Sequence, residues 1–157
     1  SDGVFPRWSI AQNITIRSLK NLRSGGLVPP ETEKVLAESW KDRLRIRPPD
    51  MENGILSLSG GNQQKALFAR ALASDAAIIL MDDPMRGVDV GTRQDVYALI
   101  RSEAAGGRCF LCYTTETDEL LHCDHVYVFH AGAIVAELAG ADVSEEKIIQ
   151  LSFQEPV

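Results

Sequence analysis

The sequence predicts an α/β fold, and three observations predict it. From residue 75 onward, short apolar runs alternate with helical patterns, the arrangement of strands joined by helical crossovers. The run Ile78-Ile79-Leu80-Met81 is unbroken by polar residues, so it reads as a strand of a parallel sheet covered on both faces. Up to about residue 54 the chain shows helical patterns and turn residues, which sets a small helical region before the sheet.

Each element follows in order. Ser9 is placed to cap a short amphipathic helix with Ile10, Ile14 and Leu19 on one side. Gly25-Gly26 and Pro29-Pro30 punctuate the chain, and a second helix runs from about Glu31 to Asp42, ahead of Pro48-Pro49. An Ala-rich helix from about Gly61 to Ser74 carries Leu67, Phe68 and Leu72 as packing groups. Beyond the strand ending at Met81 lie a helix at Val90–Ala105, a strand at Cys109–Tyr113, a short helix at Asp118–His122 and a strand at Val126–Phe129. Ala131-Gly132 reads as a hairpin turn into Ile134–Leu138, and a last helix starts near Ser144.

The 157 residues are one domain's worth, 45% apolar and 24% charged, as in ordinary soluble globular proteins. A net charge of -6 argues against a nucleic-acid or anionic-membrane surface, since both select a basic patch. No run approaches the ~20 apolar residues of a membrane span. Three cysteines in or near apolar runs suit a reducing compartment better than a disulfide framework. There is no signal-peptide pattern and no initiator Met, so Ser1 reads as a processed start or a boundary. The expectation is an acidic, soluble, cytoplasmic domain.

The strongest chemical signal is Leu58-Ser59-Gly60-Gly61-Asn62-Gln63-Gln64-Lys65, at the head of the Ala-rich helix. A glycine-rich turn feeding a helix N-terminus gathers unpaired N–H groups and roughly +0.5 of dipole charge, which makes an anion site. Gly60 and Gly61 allow close approach of a phosphate, and the Ser59 hydroxyl adds a donor. The same residues are also what an ordinary Ser cap needs. Seventeen residues after Lys65, Asp82 and Asp83 end the apolar strand, where open α/β sheets place ligands. One such carboxylate can hold Mg²⁺ and its neighbour can orient an attacking water. A simple capping turn is the alternative.

Together, in this order and spacing, the two signals resemble the signature-to-D-loop segment of ATP-binding-cassette (ABC) transporter ATPases, and the resemblance extends over nearly the whole chain. LSGGNQQK at Leu58–Lys65 and RGVDVGTR at Arg86–Arg93 look like the second, C-terminal cassette of ribose-, xylose- and galactose-type sugar importers. The resemblance implies a partial P-loop ATPase core with a mainly parallel sheet. Residues 1–54 would be part of the helical subdomain that contacts the transmembrane permease, and 55–157 the C-terminal part of the core. It implies ATP and Mg²⁺ as cofactors of the intact parent, with Ser59, Gly60 and Gly61, continued by Asn62 and Gln63, as the signature loop. In the family that loop reaches the γ-phosphate of ATP held by a partner: the first cassette of the same protein, or a second copy. Asp82 matches the Walker B aspartate, Asp83 the catalytic-base position and Asp89 the D-loop aspartate. Thr114-Thr115-Glu116 matches the switch, with Glu116 where most cassettes have His. The implied place is cytoplasmic and peripheral, on the inner face of the cell membrane, with no nucleic acid.

Departures from the family pattern weigh on catalysis. The chain contains no G-x-x-x-x-G-K followed by Ser or Thr, which reads as truncation, with the Q-loop upstream of Ser1. Such a fragment does not cradle a triphosphate by itself and is expected to be inactive alone. The family's catalytic Glu is Asp83 here, one methylene shorter, and a shift of about 1 Å in a positioning group can cost ~100-fold. Glu116 lacks the imidazole a phosphate contact would use. In the family the Walker A strand separates the strands matching Cys109–Tyr113 and Val126–Phe129. Without it, either those two pair directly or a second copy closes the gap, so self-association is expected.

Other readings stay open. A non-catalytic docking module for a membrane subunit would have no physical need of the Ser59-Gly60-Gly61 loop. A soluble, non-transport ABC ATPase sits poorly with the acidic charge and the sugar-importer form of the motif. Cys109, Cys112, His122, Cys123 and His125 suggest zinc, but Cys109 and Cys112 leave a strand on opposite faces.

Overall fold

Ser9 opens the first helix with a reciprocal cap. Its Oγ accepts from Gln12 N (3.1 Å) while its own N–H donates to Gln12 Oε1 (3.0 Å), so two orphan donors are met locally. Two more, Ile10 N and Ala11 N, donate to the carbonyls of Asn53 and Met51. The resulting helix α1 (Ile10–Thr15) is only six residues long and draws its stability from burial of Ile10 and Ile14, both 0% exposed. The expected continuation to Leu19 does not occur. The chain turns at buried Ser18, whose Oγ donates to Ala73 O at 2.7 Å, and a separate turn of helix, α2, covers Leu19–Leu22.

The computed structural model describes residues 3–24, 26–47, 50–85 and 88–153. Gly25, Pro48, Pro49, Arg86 and Gly87, each part of a turn or motif read from the sequence, lie outside them. Helix α3 (Pro30–Arg43) begins on Pro30, with Glu31 and Glu33 in its first turn and Lys41 and Arg43 in its last, the arrangement its dipole favours. It is followed by α4 (Gly60–Ala73), β1 (Ile78–Asp82), α5 (Val90–Ala105), β2 (Cys109–Tyr113) and α6 (Thr117–Leu120). Strands β3 (His125–His130) and β4 (Ala133–Ala139) and helix α7 (Glu145–Ser152) complete the order.

The chain divides into two compact units: Ser1–Met81 with Met85–Leu111, and Asp82–Pro84 with Cys112–Val157. In the first, α1 packs on α3 and α4 around Ile10, Ile14, Leu44, Met51, Ile55, Met85 and Val96. The helical residues before 54 therefore share one core with α4 and α5. In the second, Val126, Val128, Leu138 and Ile148 form a smaller core. Its hairpin β3–β4 is antiparallel, with Tyr127 opposite Glu137 and Phe129 opposite Ile134. The turn has left-handed backbone at both Ala131 (φ 48°) and Gly132 (φ 83°), the geometry that matches strand twist in two-residue hairpins.

Strands β1 and β2 are hydrogen-bonded neighbours. Cys109 N donates to Ala77 O and Asp83 N to Tyr113 O (2.8 and 2.9 Å); both strands advance together, so the pair is parallel. The fold is thus α/β, with one parallel pair and one antiparallel hairpin among the described residues. The sheet is not covered on both faces as the apolar run suggests. Ile79 and Phe110 turn toward the helices, while Ile78, Leu80 and Leu111 are 62%, 73% and 59% exposed. Nor is there a ladder between β2 and β3, which lie in separate sheets.

Candidate functional site

The sequence-predicted residues fall into two groups, one in each unit. In the first unit, Ser59 is the N-cap of α4 but makes no capping bond to the backbone. Its Oγ instead accepts from Asn62 Nδ2 at 3.1 Å. Gln63 steadies the turn by donating Nε2 to Leu58 O (2.9 Å), and Asn62 Oδ1 accepts from Arg47 N (3.3 Å). Ser59 and Gly60 are exposed and Gly61 is half-buried. A Cβ built on Gly60 or Gly61 would meet nothing within 4 Å, and neither backbone is left-handed. The chain's own packing and backbone therefore do not require glycine at either position. These residues form the first turn of a 14-residue helix, at the positive end of its dipole.

Asp89 is the N-cap of α5, accepting from Thr92 N (3.0 Å) and Thr92 Oγ (2.7 Å). Those two hydrogen bonds hold its carboxyl below the usual range, and the Lys65 charge adds to them. Asn62 and Asp89 line one open cleft together with Arg45, Arg47, Lys65 and Asp95. Arg45 pairs with Asp95 at 3.1 Å. Arg45 and Arg47 were missed as site residues by motif reading; the signal for them is the alternation Arg43-x-Arg45-x-Arg47 just ahead of the glycine-rich turn.

The second unit holds Asp82, Asp83 and Glu116. Asp82 is exposed at the end of β1. Asp83 adopts φ 42° directly before Pro84, where extended backbone is preferred. That conformation costs of order 1–3 kcal/mol, and the hydrogen bond to Tyr113 O holds it. Asp83 Oδ1 in turn accepts from Thr115 N at 3.4 Å, and Glu116 N donates to Thr114 Oγ at 3.1 Å. The structure so brings the Asp-Asp corner beside the Thr114-Thr115-Glu116 segment.

Cys112 reports on this corner. Burial, then the neighbouring Glu119, Cys123, Asp83 and Asp82, push its thiol up to about 12; Cys109 lies on the opposite, exposed face of β2. At neutral pH Cys112 is therefore held as the thiol. Burial and Asp124 also raise Cys123. Titration with an aromatic disulfide reagent should give one fast thiol, the exposed Cys109, followed by two slower ones, Cys112 and Cys123. A single phase of three thiols would contradict this arrangement.

Comparison with known proteins bears on what these groups belong to. A ribose import ATP-binding protein, RbsA 2 of Rhizobium meliloti (strain 1021), is 43% identical over 151 residues, covering 96% of this chain and 30% of the relative. A putative ribose/galactose/methyl galactoside import ATP-binding protein of Pseudomonas fluorescens is 36% identical over 151 residues, covering 96% and 29%. The chain thus spans under a third of these relatives. Among solved structures, a dimeric ATP-binding cassette in a post-hydrolysis state with ADP and Pi superposes with a TM-score of 0.77 at 21% identity, over 87% of this chain and 59% of that one. An Atm1-family exporter with ATP bound gives 0.74 at 20% identity, over all of this chain and 28% of that one. These likenesses establish a shared fold. The ABC transporter profile matches residues 1–86 of the 157, more than half of the chain and through the glycine-rich entrance to α4, so this chain belongs to the ABC transporter family.

Proposed function

We propose that this chain is part of the ATP-binding subunit of a sugar importer, from its second cassette, and that it offers the entrance of α4 to ATP held by a partner cassette. One observation carries the reading: Ser59, Gly60 and Gly61 leave a helix N-terminus open where the chain's own packing does not require glycine. That arrangement suits an outside group of negative charge. The printed functions of the relatives, ribose and galactoside import, support the substrate class. The dimeric cassette with ADP and Pi supports the pairing.

The residues present fit the proposed cofactors in part. The α4 amides and Ser59 Oγ suit a terminal phosphate. Asp82 supplies the hard oxygen that Mg²⁺ takes, though a single carboxylate needs the phosphates to complete the ion's shell. Asp83, with Thr115 on its carboxylate, would orient a water. It does so with one methylene less than the family's Glu, and Glu116 brings negative charge where an imidazole is usual. In this reading the segment is a weak catalyst whose main contribution is made across the interface. Residues 1–54 would meet the transmembrane permease on the cytoplasmic side of the membrane. The apolar groove of Trp8, Ile16, Leu19 and Val28 is suited to such a contact. Among the described residues, no helix is long and apolar enough to cross a membrane.

Two measurements on the chain itself test this. Titration calorimetry with Mg-ATP should show no hydrolysis and no binding tighter than roughly millimolar, about 4 kcal/mol of affinity. A micromolar constant would mean that the phosphate is cradled here and not by a partner. Sedimentation at ~10–100 μM should show self-association, since an uncovered apolar sheet face beside unpaired strand edges invites another chain. A strictly monomeric chain with that face open would contradict it.

A further inference from the structure

The two ends of α4 are held very differently, and the contrast has a single residue at its centre. At the carboxyl end the carbonyls of Ala71, Leu72, Ala73 and Ser74 all have donors. Ser74 N (3.3 Å) and Ser74 Oγ (2.6 Å) donate to Ala71 O, and Ser18 Oγ donates to Ala73 O (2.7 Å). Arg108 takes the rest: its two terminal nitrogens donate to Leu72 O (2.7 Å) and Ser74 O (2.6 Å). The same guanidinium lies 3.5 Å from Glu103 on α5. The other oxygen of Glu103 accepts from Arg43, in the last turn of α3, at 2.6 Å. Arg43 in turn sits 3.9 Å over the ring of buried Trp40. The side chains of Arg108 and Glu103 are 23% and 19% exposed, so that pair is partly shielded, while Arg43 at 43% lies at the surface.

A cation at a helix C-terminus satisfies carbonyls and complements the dipole. Here it does more, because the guanidinium's planar fork grips two carbonyls and a carboxylate in fixed directions. We propose that Arg108 is a positioning residue for the glycine-rich entrance of α4: it clamps the far end of that helix to α5, and through Glu103 to α3, and so aims Ser59, Gly60 and Gly61. A 14-residue helix is a rod ~21 Å long, so a tilt of ~5° about its fixed end moves the other by about 2 Å. That displacement is large for a group that must meet a phosphate, where about 1 Å can cost ~100-fold. The inference rests on the reading of α4 as a phosphate-facing helix only for its effect on rate; the effect on helix direction stands alone.

The test therefore has two arms. In the 157-residue chain, Arg108→Met keeps the aliphatic stem and removes the fork. The amide resonances of Gly60 and Gly61 should move, although the substitution lies at the other end of the helix. Arg108→Lys, which keeps the charge and a donor but not the fork, should return them only in part. In the full-length ATPase carrying this segment, Arg108→Met should lower kcat by ~10-fold or more with KM for ATP unchanged, again with partial rescue by Lys. Shifts confined to Leu72–Ser74, or kcat within twofold of the unaltered enzyme, would overturn the proposal. If Arg108→Met does not fold, Glu103→Gln loosens one tether, and an unmoved Gly60–Gly61 pair there overturns it equally. A silent Gly61→Asp would remove the phosphate reading while leaving the resonance arm to decide this one.

Discussion

Gly61→Asp in the full-length ATPase should abolish hydrolysis while leaving the fold as stable as before or slightly more so. No Cβ clash opposes it, since nothing lies within 4 Å of that position. Glycine is poor inside a helix, by up to ~1 kcal/mol relative to Ala. A carboxylate in the first turn also gains about 0.3–1 kcal/mol from the dipole. The same carboxylate would stand about 4 Å from an arriving phosphate, where like charges repel by about 4 kcal/mol at an effective dielectric of 20, close to 10³ in rate. Activity and stability thus move in opposite directions, which separates a ligand-facing loop from a merely structural one. Ser59→Arg should act alike through bulk. A steady-state assay beside a thermal melt decides it, and unchanged hydrolysis in folded Gly61→Asp would mean that this helix meets no nucleotide.

Asn13→Leu should be the most destabilising of the conservative-volume changes in the helical core, by about 3 kcal/mol out of a total of order 5–15. The side chain is 0% exposed and every arm of its amide is engaged. Oδ1 accepts from Phe5 N (2.9 Å) and from Arg70 (3.2 Å). Nδ2 donates to Phe5 O (3.1 Å) and Ser9 O (2.9 Å). Leucine would take the acceptor from Phe5 N and from one Arg70 nitrogen and turn part of that guanidinium toward hydrocarbon, while Phe5 O keeps Trp8 N and Ser9 O keeps Asn13 N. Urea unfolding should show a lower midpoint at unchanged slope. A loss under ~1 kcal/mol would show that water replaces the amide.

What was legible in the sequence was what is local. The Ser9 cap, the bounds of α5 and β2 and the Ala131-Gly132 turn all follow from signals within a few residues, and the structure agrees with each. The turn between α1 and α2 was not legible, because the hydrogen bond that anchors Ser18 there reaches a carbonyl 55 residues away. The same holds for Arg108, whose partners lie 34 and 36 residues earlier. At the candidate site, the glycines and the Asp-Asp pair stood out by pattern. The left-handed backbone of Asp83 and the approach of Arg45 and Arg47 to Asn62 did not, since strain and cross-element contact leave no periodicity to read. The apolar run of β1 misled for a related reason: it reports what the strand can be buried in, and among the described residues Ile79 is buried while Ile78 and Leu80 are exposed.

That uncovered side of β1 and β2 has a consequence for the molecule's fate apart from its folding free energy. Ile78, Leu80 and Leu111 offer an adhesive surface even when every helix is formed. Chaperones and proteases respond to such surfaces as signs of incomplete folding, and marginal species are continuously sorted by them. The lifetime of the isolated chain in a cell would then be set by how quickly something occupies that surface, and unoccupied copies would be cleared although natively arranged.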